Sequence, residues 1–232
     1  NTIVAEALSQ IADRLEKAPN FQAEVNAVVK DIIKNHKRII FNGNNYSQEW
    51  VEEAAKRGLP NLKTTVDAIP ALIADKNIKV LEKHGVLTST EIHSRYEIQL
   101  ESYVKTVRIE ALTMVDMAQK QILPASLRYV KEVAETVASL KAVGADSAAT
   151  KAELDKLVAL TAGLRENTVK LNAAVEQLDG ESDDYFEIAK AYKEKIIPLM
   201  GDLRADSDAL ETIVDASVWP IPTYGELLFG LM

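Results

Sequence analysis

Apolar residues recur every three or four positions along most of this chain, and the rhythm breaks at clusters of Gly, Pro and Asn. Ile3, Val4, Ala7, Leu8, Ile11 and Leu15 form one helical stripe that ends before Pro19. A second stripe begins at Phe21 and carries Val25, Val28, Val29, Ile32 and Ile33 on one face. His36, Lys37 and Arg38 fall where its last turn should be, and positive charge is favoured there by the helix dipole. Ile39-Ile40-Phe41 is the one short β-like run. It leads into Asn42-Gly43-Asn44-Asn45, a turn-forming cluster. Ser47 reads as the N-cap of a further helix, with Trp50 at its third position and an exit marked by Gly58, Pro60 and Asn61. Pro70 interrupts the next stretch, and Lys76 to His84 reads as a short helix stopped by Gly85.

The longest helical region starts at Thr88 or Ser89 and runs towards Val143 and Gly144. Pro124 should kink or split it, because the ring displaces the backbone hydrogen bond to residue 120. Beyond the proline, Val130, Val133, Val137 and Leu140 keep a three-four-three spacing. Leu154, Leu157, Thr161, Leu164, Thr168, Leu171, Val175 and Leu178 then alternate in steps of three and four without a fault. That is a coiled-coil-like seam on a helix of roughly 45 Å. Residues 179–183 read as the turn out. Tyr192, Ile196, Leu199, Leu203, Leu210 and Val214 repeat the seam, with a kink expected near Pro198. Long helices joined by tight turns predict an all-α fold containing an antiparallel bundle, with at most one short β-like segment. The chain closes on Trp219-Pro220-Ile221-Pro222-Thr223-Tyr224, an extended path fixed by two prolines, followed by the apolar Leu227-Leu228-Phe229.

Composition narrows the function classes. Of 232 residues, 47% are apolar and 27% charged, which is ordinary for a folded domain and excludes a disordered tail. A net charge of −8 argues against nucleic acid, whose phosphates need clustered Lys and Arg. No apolar run approaches the ~18–20 residues of a membrane span. Zero cysteines remove disulfide and thiolate-metal chemistry together. A cytoplasmic setting fits these features. The chain opens at Asn1 without a Met or a leader, which reads as an internal start of a longer protein.

Catalytic signatures are sparse. His36, His84 and His93 are few and scattered, no Glu-x-x-His occurs, and Glu91 and His93 point to different faces of one helix. They read as surface or capping histidines. Asn42–Asn45 lacks the Lys-Ser/Thr of a phosphate loop and reads as a turn, and no nucleophile elbow is present. Carboxylates along amphipathic helices read as a solvated face. Arg95 and Glu97, beside Tyr96, read as ion-pairing partners of neighbouring helices. The Trp219–Phe229 tail carries large apolar area and reads as a segment that docks in a groove of its own chain or of a neighbour.

Several blocks together resemble the C-terminal region of type III glutamine synthetases. They are Arg38-Ile-Ile-Phe-Asn-Gly-Asn-Asn-Tyr-Ser-Gln-Glu-Trp50, Lys56-Arg-Gly-Leu-Pro-Asn-Leu62, Glu91-Ile-His-Ser-Arg-Tyr-Glu97, Ile109 to Met117, and Trp219 to Phe229. They lie in the family's order and cover essentially the whole chain. The resemblance marks Arg38, Phe41, Asn42, Gly43, Trp50, Arg95, Glu97, Trp219, Pro220 and Tyr224 as signature or structural positions. It implies a parent enzyme that joins ammonia to glutamate with ATP and Mg or Mn, through a γ-glutamyl phosphate, in stacked hexameric rings. In that family a strand with a Glu-x-Arg pair precedes the helix that Asn1–Leu8 resembles. No position here matches that strand or any other catalytic motif, so no catalytic, cofactor-binding or metal residue is carried over.

The resemblance further implies that residues 1–105 are the helical end of the catalytic fold. Residues 106–218 would then be the type III C-terminal bundle and 219–232 the docking tail. The chain alone would be inactive, with a structural and assembly role in its homo-oligomeric parent. Apolar surface on its first helices would be uncovered without the neighbouring domains. A free-standing helical scaffold is the alternative from another class. An independent enzyme finds no motif in its favour.

Overall fold

The computed structural model of the chain describes residues 1–178, 180 and 182–230. Among these, every regular element is helical and no strand occurs, so the all-α expectation holds. Two compact units divide the chain, Asn1–Leu100 and the part from Glu101 onward, with the boundary inside one long helix.

In the first unit, α1 (Thr2–Glu16) packs on α2 (Phe21–His36) and on α5 (Asp75–Lys83). Asn20 caps α2 by accepting a hydrogen bond from the Ala23 N–H. Arg14 of α1 reaches Glu24 at 2.6 Å and Asp31 at 3.1 Å on α2. A 3-10 turn, Lys37–Ile39, follows α2. The β-like run Ile39–Phe41 therefore forms no strand: a strand needs a partner to satisfy its ladder, and here the carbonyl of Ile40 is taken by a side chain instead. Next come α3 (Gln48–Lys56) and α4 (Thr65–Ala68), the latter running into a 3-10 turn at Pro70. Ser47 occupies the cap position of α3, but its hydroxyl donates back to the Asn44 carbonyl and does not cap the helix. Gly58 and Gly85 end α3 and α5 with φ of +70° and +63°, a left-handed conformation that glycine adopts without steric cost.

The long helix α6 (Ser89–Met117) opens with a capping box. The Glu91 carboxylate accepts from the Thr88 N–H at 2.8 Å, and the Thr88 hydroxyl accepts from the Glu91 N–H. Ala118–Ile122 is a π-helical turn, and α7 (Leu123–Ala142) continues directly. The same arrangement recurs where α9 (Tyr185–Ala191) passes through a π turn, Tyr192–Ile196, into α10 (Ile197–Glu211). In both, the proline stands second in the helix that follows the π turn. Proline lacks the N–H that residue i−4 needs, and its ring crowds that carbonyl. The chain widens one turn, so that Leu123 donates to Ala118 and Ile197 donates to Tyr192, and the helix carries on. The kink expected at Pro124 and Pro198 is thus a widened turn placed just ahead of each ring.

In the second unit α8 (Ala148–Leu178) packs against α7 on one flank and α10 on the other. Its seam is the core: Leu157, Leu164 and Leu171 are fully buried, each contributing ~1.5–3 kcal/mol of transfer free energy. Thr161 and Thr168 lie in the same row. Their hydroxyls donate to the carbonyls of Leu157 and Leu164 at 2.7 and 2.6 Å, which satisfies two buried polar groups. Of the turn expected at 179–183, residues 179 and 181 lie outside the described residues, as do 231 and 232 of the tail. Asp184 caps α9, and the Tyr185 hydroxyl donates to Glu101 on α6 at 3.0 Å.

Candidate functional site

The signature residues near the first unit's loop gather into an aromatic knot. Phe41 stacks on Trp50 of α3 with ring centroids 4.7 Å apart and planes inclined by 28°. Arg57, two helical turns beyond Trp50, lays its guanidinium 5.6 Å from the indole centroid. One of its nitrogens donates to the carbonyls of Arg38 at 3.1 Å and Ile40 at 2.8 Å, and its Nε binds Glu53 at 2.7 Å. A planar, permanently charged fork suits several acceptors at once. Gly43 sits under the Phe41 ring, where a Cβ would lie 2.6 Å from a ring carbon. The loop from Asn42 to Tyr46 projects from this knot. Inside it the Asn44 side chain accepts from the Tyr46 N–H at 3.0 Å, while Asn42, Asn45 and Tyr46 face solvent.

The structure therefore brings together Phe41, Gly43, Trp50 and the backbone of Arg38. Arg57 and Glu53 complete the cluster and were not singled out from the sequence. The available signal was a cation seven residues after a tryptophan, on the same helical face. Arg95 and Glu97 stand apart on exposed positions of α6 and form no ion pair to another helix among the described residues. Arg95 acts only at long range, adding to the pull of the Thr88 N–H and hydroxyl that lowers the Glu91 carboxyl.

A second polar cluster joins elements far apart in sequence. Glu6 of α1 receives Lys83 Nζ at 2.7 Å, Gln10 Nε2 at 2.7 Å and lies 2.8 Å from His84 Nε2. These bonds, Lys83 first, then Gln10 and His84, lower its pKa from 4.5 to about 2. A carboxylate held that low stays charged at neutral pH and is a poor general base. His84 is the C-cap of α5, and His93 contacts the Ser89 carbonyl at 2.8 Å. Among the described residues no group of three or more His, Asp or Glu side chains could hold a metal ion.

In the second unit an open apolar groove of about 550 Å³ runs between α7 and α8, floored by Leu127, Val130, Val158 and Val169 and rimmed by Arg165 and Lys170. Its lining is mostly apolar; of its polar groups, the Thr161 hydroxyl donates to the Leu157 carbonyl and Glu166 is ion-paired with Lys170 at 2.7 Å. Trp219, Pro220 and Ile221 are half-buried at the end of this unit. The extended path expected through Tyr224 gives way there to a short helix, α11 (Tyr224–Phe229), because Thr223 and Glu226 make a reciprocal capping box. Tyr224, Leu227, Leu228 and Phe229 are all exposed, Phe229 by 82%.

Comparison with known proteins gives a consistent picture. Residues 24–141 match the family described as the glutamine synthetase C-terminal domain. A glutamine synthetase from Butyrivibrio fibrisolvens is 38% identical over 90% of this chain and 30% of its own length. A type-3 glutamine synthetase from Dictyostelium discoideum is 34% identical over 99% of this chain and 32% of its own. One from Bacteroides fragilis (strain YCH46) is 29% identical over 87% of this chain and 28% of its own. The chain spans about a third of the length of these curated relatives.

Proposed function

Since the chain belongs to the glutamine synthetase C-terminal domain family, we propose that it serves as the helical C-terminal part of an ATP-dependent glutamate–ammonia ligase, supporting assembly and not chemistry. The observation that carries this reading is the match to about a third of several glutamine synthetases, together with the uncovered apolar faces on the first helices. Ile3, Val4, Leu8, Phe21, Val29 and Ile33 are all at least half exposed on α1 and α2, with Ile3 at 80%. Such a patch marks a surface that packs against another part of a protein. In this reading residues 1–105 close the catalytic fold, 106–218 form the type III bundle, and 219–232 dock on a neighbouring surface. ATP and Mg or Mn bind elsewhere in the parent, which works in the cytoplasm as a homo-oligomer of stacked hexameric rings.

The tail supplies the sharpest test. Its four exposed apolar residues follow the half-buried segment from Trp219 to Ile221. Truncating the full-length parent after Ala216 should shift the assembly to smaller species in light scattering and reduce synthetase turnover. Unchanged ring size and unchanged activity would overturn the docking role. The isolated chain should show no glutamine formation from glutamate, ammonia and ATP, and any turnover would overturn the assembly-only reading.

A further inference from the structure

We propose that Asn42 is a site of spontaneous deamidation, built into the fold by the contact between Phe41 and Gly43. Asn42-Gly43 is the single Asn-Gly pair in the sequence. Both residues are exposed in the loop between the 3-10 turn and α3. Among the described residues, neither the Asn42 side-chain amide nor the Gly43 N–H has a hydrogen-bond partner. The reaction needs both groups free. It also needs a following residue without a Cβ, so that the backbone nitrogen can swing towards the side chain.

In the first step the Gly43 backbone nitrogen loses its proton to hydroxide and attacks Cγ of Asn42. A C–N bond forms, the Cγ–Nδ2 bond breaks, and Nδ2 leaves as ammonia after taking a proton from water. In the second step water opens the five-membered succinimide at one of its two carbonyls. The products are aspartate and isoaspartate, and the net change is consumption of one water and release of one ammonia.

The neighbouring asparagines are protected by features that Asn42 lacks. The Asn44 side chain is engaged with the Tyr46 N–H, and Asn45 precedes the bulky Tyr46. Asn26 and Asn167 lie inside α2 and α8, where helical backbone bonds hold the next N–H. A Cβ at Gly43 would lie 2.6 Å from the Phe41 ring, so a side chain there requires the ring to shift from its stack on Trp50. The stacked Phe41 ring thus favours glycine at the position that makes Asn42 reactive. An isoaspartyl link inserts an extra main-chain carbon beside Gly43 and adds a carboxylate there. The Phe41–Trp50 stack should register that change.

The test is to hold the full chain in mildly alkaline buffer and follow the peptide containing residues 39–56 by mass spectrometry. A protein-isoaspartate methyltransferase with labelled methyl donor gives a second readout. A synthetic peptide of residues 40–47 serves as the unprotected reference. The expected result is conversion at Asn42 within about tenfold of the peptide's rate, with Asn26 and Asn167 unchanged, since an open loop gives little protection. Conversion should be slower in mildly acidic buffer, be lost in Asn42→Gln, and shift Trp50 emission as isoaspartate accumulates. A rate more than about a hundredfold below the peptide's would mean the fold guards the amide, and the proposal would be overturned. Methyl label that persists in Asn42→Gln would overturn it as well.

Discussion

Substitution of Arg57 by alanine removes, in one step, the hydrogen bonds that tie the segment from Arg38 to Ile40 to the end of α3, and leaves the Phe41–Trp50 stack in place. Two hydrogen bonds from the guanidinium to the carbonyls of Arg38 and Ile40 are lost, worth about 1 kcal/mol each in net terms. The cation over the Trp50 face contributes about 0.5–1 kcal/mol. The ion pair with Glu53, four residues apart on one helix and part exposed, contributes about 0.3–0.5 kcal/mol. The total for Arg57→Ala is therefore about 3 kcal/mol, a drop of about 2 M in the urea midpoint of the first unit. Arg57→Lys keeps the charge but has no planar fork to serve two carbonyls, and should cost about 1–2 kcal/mol. Glu53→Gln should cost about 0.5 kcal/mol. The assay is urea unfolding followed by Trp50 fluorescence in a Trp219→Phe background, so that one indole reports. Arg57→Lys unfolding at the parent midpoint would refute the carbonyl lock. So would a Glu53→Gln cost equal to that of Arg57→Ala, because the ion pair would then carry the effect.

Three further outcomes follow from named contacts. Glu6 has a folded pKa of about 2 against an ordinary 4.5, so its contribution is fully present above pH 4.5 and is lost as pH falls through about 2. Glu6→Gln should flatten the acid limb of a thermal-stability profile over that window, and an unchanged limb would remove Glu6 from it. Leu164→Ala empties a fully buried position in the α8 seam and should cost about 3–4 kcal/mol, whereas Val169→Ala, 62% exposed on the same helix, should cost under about 0.5 kcal/mol. Equal costs in urea unfolding followed by far-UV circular dichroism would contradict the seam as core. Gly201 lies inside α10 with open space where a Cβ would go, so Gly201→Ala should stabilise by up to about 1 kcal/mol, read as a raised melting temperature.

Local periodicity and capping chemistry are properties of adjacent residues, and they were legible in the sequence. The three-four alternation from Leu157 to Leu178 is the buried row of α8, and Tyr192, Ile196, Leu203 and Leu210 are buried as their spacing predicts. Gly58, Gly85 and Gly144 end helices where only a positive φ closes the turn. The capping box at Thr223 was equally local, and it turns the end of an expected extended tail into a helix. Tertiary structure decided what depends on partners distant in sequence. Ile39–Phe41 has strand propensity, but a strand exists only with a neighbour, and Arg57, 17 residues beyond Ile40, takes that carbonyl instead. Glu6 meets Lys83 across 77 residues, and Tyr185 meets Glu101 across 84, distances over which no pattern in the sequence specifies a pair. Periodicity shows that α1 has an apolar face but cannot say what covers it. Burial is set by the surfaces that meet in three dimensions, and on α1 and α2 much of that face is left open to solvent.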